Sequence, residues 1–167
     1  LAIPKIKYSF RFADKDNIYL GKREGVTTVP PGRAFVVFER GIEFGSGAPV
    51  YTTFQFTEIP NWLNVDETKI NQLQLFVSNI NLEKETESPH LSLSLKNKSL
   101  FNIPNMNVVA ILYDEDFNAL NVSSTYVDNL GGEEEKILDF TWPLPFGKTV
   151  VNREILPIFN IFEVQLK

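Results

Sequence analysis

Three oxygen-bearing side chains alternate along Asp114-Glu115-Asp116-Phe117-Asn118, the spacing with which a calcium loop opens. An EF-hand would continue with Gly at its sixth position and Glu at its twelfth. Those positions hold Ala119 and Thr125. The run therefore reads as a polar hairpin turn, and so does Asp14 with Asp16. A weak cation site shared with a distant carboxylate stays open at either turn, and no metal site is assigned. The single His, His90, follows Pro89 at the end of a polar stretch. Ser-His-Asp chemistry needs a base held between a nucleophile and an orienting acid. Nothing around His90 supplies that, so it reads as a surface or strand-edge residue. Cys is absent, which excludes disulfides, thiolate catalysis and Cys-ligated zinc. Glu133-Glu134-Glu135 lies beside Gly131-Gly132 and reads as a solvated loop. A glycosidase needs only two carboxylates at the right separation, but no pair stands out among 21 acidic residues. The expectation is a protein with no catalytic residue, no metal and no cofactor, that is, not an enzyme.

Two Trp residues carry a different chemistry. Trp62 and Trp142 lie near Pro60 and Pro143 at the ends of strand-like segments. An exposed Trp could stack on the apolar face of a sugar ring. A buried one would plug the end of a sandwich, since a large aromatic buries ~150–250 Å². Two sequons, Asn97-Lys98-Ser99 and Asn121-Val122-Ser123, are short signals that arise readily by chance. The net charge of -5 argues against nucleic acid as a partner.

The elements that must position these residues read almost entirely as strands. Lys5 to Phe12 alternates with period two, placing Ile6, Tyr8, Phe10 and Phe12 on one face. Asp14 to Asn17 is a turn, Ile18 begins a return strand, and Pro30-Pro31-Gly32 breaks the chain. Arg33 to Glu39 and Val50 to Phe56 follow as strands, separated by a Gly-rich loop from Gly41 to Pro49. Glu67 to Gln72 suits a short helical turn capped by Asp66. Gln72 to Val77 is a strand. Asn81 to Pro89 is polar and reads as a linker. Strands follow at His90 to Lys96, Met106 to Tyr113, Ala119 to Val127 and Lys136 to Trp142. One or two more fall within Val150 to Val164, split near Pro157. Asn97 to Asn105 reads as a loop.

Displacing the chain by 100 residues aligns its halves. Asp14 meets Asp114, Asp16 meets Asp116, Leu20 meets Leu120, Gly32 meets Gly132 and Val50 meets Val150. The order strand, Asx turn, strand, Gly turn, strand recurs. The expected fold is all-β: two tandem immunoglobulin-like or fibronectin-III-like β-sandwiches over residues 1–82 and 90–167, joined by a linker at 83–89. The competing expectation is a single larger sandwich with both halves interleaved.

Leu112-Tyr113-Asp114, the hairpin after it, and Leu130, Gly132 and Glu133 before the Phe140 strand carry a resemblance. The stretch 91–142 resembles the FxLYD type of bacterial immunoglobulin-like domain, with Ala110 where that motif has Phe and Gly131 where it has Pro. The first half is similar by pattern only. The resemblance implies small sandwiches attached to the bacterial cell envelope and no catalytic residues. The expected protein is the extracytoplasmic part of a longer, membrane-anchored bacterial protein, whose anchor lies outside this sequence. It would be a non-catalytic structural, assembly or binding module. Its partner would be a protein or glycan of the envelope, met through the loops Gly41 to Pro49 and Asn97 to Asn105 or through a strand edge. The competing expectation is a carbohydrate-binding module using an exposed Trp.

Overall fold

A computed structural model describes residues 1–45 and 47–166; Ser46, in the expected Gly41 to Pro49 loop, and Lys167 lie outside it. Its elements are β1 (Ile3–Ala13), β2 (Tyr19–Val29), β3 (Tyr51–Phe56), α1 (Glu67–Gln72), β4 (Leu75–Glu83) and β5 (His90–Asn97). They continue with β6 (Phe101–Tyr113), β7 (Ala119–Leu130), β8 (Glu135–Thr141), β9 (Asn152–Ile158) and β10 (Gln165–Leu166). The fold is all-β, as the alternation requires. All pairings are antiparallel, in three sheets: β2-β1-β3, β4-β5-β8, and β7-β6-β9 with β10 on the start of β6.

The main core lies where β4-β5-β8 faces β7-β6-β9. Leu91, Leu93 and Leu95 of β5 meet Met106, Val108, Ala110 and Leu112 of β6, all essentially without solvent contact. Leu138 and Phe140 of β8 and Val127 and Leu130 of β7 complete the seal. These two sheets form a β-sandwich. Each large side chain buried this way contributes about 1.5–3 kcal/mol. The sheet β2-β1-β3 has a much smaller cluster of its own, Ile3, Ile6 and Val29 with Phe35 and Phe56 against them.

Three sequence expectations change. The polar stretch 83–89 is the connection of the β4–β5 hairpin rather than a linker. Glu83 faces His90 across the ladder, and Lys84 takes a positive φ where the Glu87 N–H bonds back to its carbonyl. β4 therefore shares a sheet with β5 and β8. The Asn97 to Asn105 loop shrinks, because β6 begins at Phe101 and keeps Pro104 in register opposite Asn129. Asn97 is fully buried; its amide donates to the carbonyls of Phe101, Leu130 and Gly131 and accepts from Ser99. That sequon is a structural knot. Arg33 to Glu39 forms no strand, since no neighbour among the described residues completes a ladder for it. The helical turn stands as read, with Asp66 accepting from the Thr68 N–H.

The internal repeat is present in the hydrogen bonding. Asp14 Oδ1 accepts from the N–H groups of Asp16 and Ile18; Asp114 Oδ1 accepts from those of Asp116 and Asn118. Asn17 and Phe117 share the same positive φ. The order β2-β1-β3 reproduces β7-β6-β9, with ladders ending at Ala13 opposite Tyr19 and Tyr51, and at Tyr113 opposite Ala119 and Asn152. The repeat is not gapless. A bulge between Ile3 and Ile6 sets Ile3 against Val29, whereas Ile103 faces Leu130. From Val29 onward the counterpart is one residue further on. Gly32 thus matches Glu133, both at positive φ, rather than Gly132. Val50 matches Val151, whose N–H bonds Tyr113 as that of Val50 bonds Ala13. Gly132 has its own reason to be Gly: a Cβ there would lie 2.8 Å from the Leu100 backbone.

Two substitutions test this packing by urea unfolding. Leu93→Ala removes a fully enclosed side chain and should cost about 2–5 kcal/mol. Asn97→Ala strands the buried carbonyls its amide serves and should cost about 1–3 kcal/mol.

Candidate interaction surface

The face of β2-β1-β3 that matches the sealed face of β7-β6-β9 is built of aromatic rings. Period two puts Tyr8, Phe10 and Phe12 on it from β1, and register adds Phe54 and Phe56 from β3. The rings are contiguous: Phe10 lies 5.0 Å from Phe54, Tyr8 5.8 Å from Phe54, and Phe54 5.3 Å from Phe56. Segment 34–44 runs over one side. Phe44 packs on Phe12 at 4.8 Å, and Glu39 accepts from the Tyr8 hydroxyl at 2.5 Å and from Arg23 Nε at 2.8 Å. Burial, and then the bond to Glu39, raise the Tyr8 pKa above its ordinary value. Gly25 leaves room for this hydroxyl, which a Cβ would overlap. The other side is open: Phe54 is 41% exposed.

The same sheet has an unguarded edge. Among the described residues β3 pairs only with β1. Thr57 N–H donates to Lys7 O at 3.0 Å, so alternate residues Tyr51, Thr53 and Gln55 bond inward to β1. The backbone groups of Thr52, Phe54 and Phe56 therefore point outward. Edge strands are ordinarily blunted by charge, Pro or a bulge. β9, the counterpart of β3, carries Arg153, Glu154 and Pro157; β8 carries Glu135, Lys136 and Asp139; β4 has a bulge between Ser78 and Asn81. The six residues Tyr51–Phe56 carry no charge, no Pro and no Gly. On the opposite face, Tyr19 and Tyr51 stand half-exposed on either side of Ala13, and the Arg11 guanidinium lies 5.6 Å from the centre of the Tyr19 ring.

The residues singled out by chemistry are dispersed. His90 Nε2 lies 2.8 Å from Asp139 Oδ1 on the outer face of β5 and β8, and no hydroxyl bonds it among the described residues. Asp114 is tied to its own turn and to Lys148 Nζ at 2.6 Å. No group of three or more acidic or His side chains is arranged to hold a metal among the described residues. Glu134 is bonded to Gly131 N–H and Glu135 pairs with Lys96, so the acidic run is partly built into the turn. Trp142 is buried, donates to Val122 O and packs edge-on against Phe146. It is a plug. Trp62 is 50% exposed.

The sequence reading placed Val50 to Phe56 as an alternating strand without marking it as an edge. The missing signal was the absence of any charge over six residues. Comparison with protein-family models and with curated proteins finds no match to this chain.

The Asp114 turn has a pH signature. The Lys148 ammonium, then the N–H of Asn118, hold the Asp114 carboxyl down at about 2. A depressed carboxyl stabilises the fold in full above its unfolded pKa of roughly 3.9 and loses that contribution as pH falls towards 2. Asp114→Asn should flatten the stability curve between about pH 4 and pH 2 and leave its shape above pH 5 unchanged. Urea midpoints measured across that range check it.

Proposed function

We propose that this chain is a non-catalytic assembly or binding module, built of immunoglobulin-like sandwich units in tandem and working outside the cytoplasm in a bacterial envelope. The observation that carries it is the unguarded β3 edge, whose outward N–H and C=O groups at Thr52, Phe54 and Phe56 adjoin an open aromatic face. An added strand would gain main-chain hydrogen bonds from the edge and specificity from alternate side chains set among the rings. The resemblance of 91–142 to the FxLYD type supports the envelope setting. Its partner in this reading is an envelope protein rather than a nucleic acid.

Trp62 keeps a second reading alive. Its half-open ring could stack on a sugar, with Trp142 taking no part. A soluble glycan whose binding is lost in Trp62→Ala would favour that reading over strand addition.

The main reading is tested with a photo-crosslinking residue at Thr53, on the β3 edge, and another at Glu154, on β9, in cells that make the protein. Adducts with envelope proteins should form at Thr53 at least about tenfold more than at Glu154, because only the first edge is open to pairing. Adducts only with cytosolic proteins, or equal yields at both sites, would contradict it.

A further inference from the structure

The second half of the chain shows what covers a sheet of this kind. The inward row of β6, Met106, Val108, Ala110 and Leu112, has no exposed surface because β5 and β8 lie across it, with β4 beside β5. Its counterparts in β1 are Ile6, Tyr8, Phe10 and Phe12. Of the three covering strands, the described residues of the first half hold a counterpart of one. With the one-residue offset that follows the Ile3 bulge, β8 (Glu135–Thr141) corresponds to residues 34–40. That segment lies over the equivalent face, as its Glu39 bonds to Tyr8 and Arg23 show. β8 is held by the ladder with β5, from Thr141 opposite His90 to Glu135 opposite Lys96. The backbone of 34–40 makes no hydrogen bond to any other described residue. Yet Phe35 to Glu39 are half-buried, where unpaired backbone groups are costly. Two deficits thus coincide: an apolar face half-covered, and a segment over it with an unfilled ladder.

We propose that the aromatic face of β2-β1-β3 is the seat of a two-stranded antiparallel β-hairpin, the missing counterpart of β4–β5, which pairs with residues 34–40 and seals Phe10 and Phe54. This rests on the assembly reading and names its partner element. In the assembly reading the hairpin belongs to the partner protein, which supplies to β1 what β4–β5 supply to β6. Its chemistry follows from volume. Tyr8 and Phe10 fill space that Val108 and Ala110 leave to Leu91, Leu93 and Leu95 of β5. The strand nearest 34–40 therefore presents small inward residues, Val or Ala, since large ones would overpack the rings. Its outer face is polar.

The test joins such a hairpin, alternating Val and Thr with an Asn-Gly turn, to Leu1 of the full chain. The connection has the length of Lys98, Ser99 and Leu100, which separate β5 from β6. Tethering supplies an effective concentration of the order of millimolar, so weak pairing still registers. A second fusion replaces the inward Val residues by Asp. Amide hydrogen exchange is followed by NMR. In the Val fusion, alternate amides of 34–40 should exchange about 100-fold more slowly than in the unmodified chain, the Phe54 ring resonances should shift, and the Asp fusion should do neither. Slowing confined to Thr52, Phe54 and Phe56 would overturn the hairpin seat while leaving strand addition at β3 intact. No slowing at either place would overturn it as well; the yields at Thr53 then decide the assembly reading separately.

Discussion

The inward row of β6 can be sealed only if a second sheet lies across it, and most of the second half of the chain serves that requirement. β6 is the longest strand, central in its sheet, and its neighbours β7 and β9 hold it in register on both sides. The leucines of β5 enter opposite it. The ends are closed by groups that would be costly to leave unsatisfied. Asn97 serves three carbonyls where β5, β6 and β7 converge, and the Glu133 N–H bonds Ser99. Trp142 closes the far side with its indole N–H on Val122 O. Buried side-chain nitrogen and oxygen atoms all have partners among the described residues.

The first half obeys the same requirement with fewer strands. It has the three-stranded sheet, the same Asx turn and the same ladder ends, but large rings stand where the second half has small aliphatic residues. Rings shield one another in T-shaped, tilted and stacked pairs, so the face holds together with segment 34–44 over one side of it. The consequence is a surface both apolar and hydrogen-bonding: open rings, outward backbone groups on β3, and an unladdered segment alongside. Reactive side chains are not gathered there. This distribution is the support for the assembly role proposed above.

Much of this was legible in the sequence. Alternation in Lys5 to Phe12 and His90 to Lys96 fixed which residues face inward, and the Asx turns at Asp14 and Asp114 marked both hairpins. The Asp66 cap was readable because a single side chain accepting a nearby N–H decides it. Other features were not local. Asn81 to Pro89 is polar whether it joins two domains or closes a hairpin, and only the pairing of Glu83 with His90 distinguishes these. Phe35 to Phe38 has strand-forming residues, but a strand needs a neighbour, which no window of sequence supplies. The bulge at Ile3 shifted the repeat by one residue, so identities such as Gly32 with Gly132 were misleading where backbone conformation was not. Trp142 and Trp62 look alike in sequence. One is enclosed by Phe146 and β7, the other is not.

The central claim is that residues 34–40 occupy the place of β8 without its ladder. Native-state amide exchange of the unmodified chain tests it most directly, comparing 34–40 with 135–141 in one sample. The account predicts that 135–141 is protected close to the global stability at alternate amides, while 34–40 exchanges at rates near those of an exposed loop. Equal protection of the two segments would contradict it, because it would mean that 34–40 already has hydrogen-bond partners.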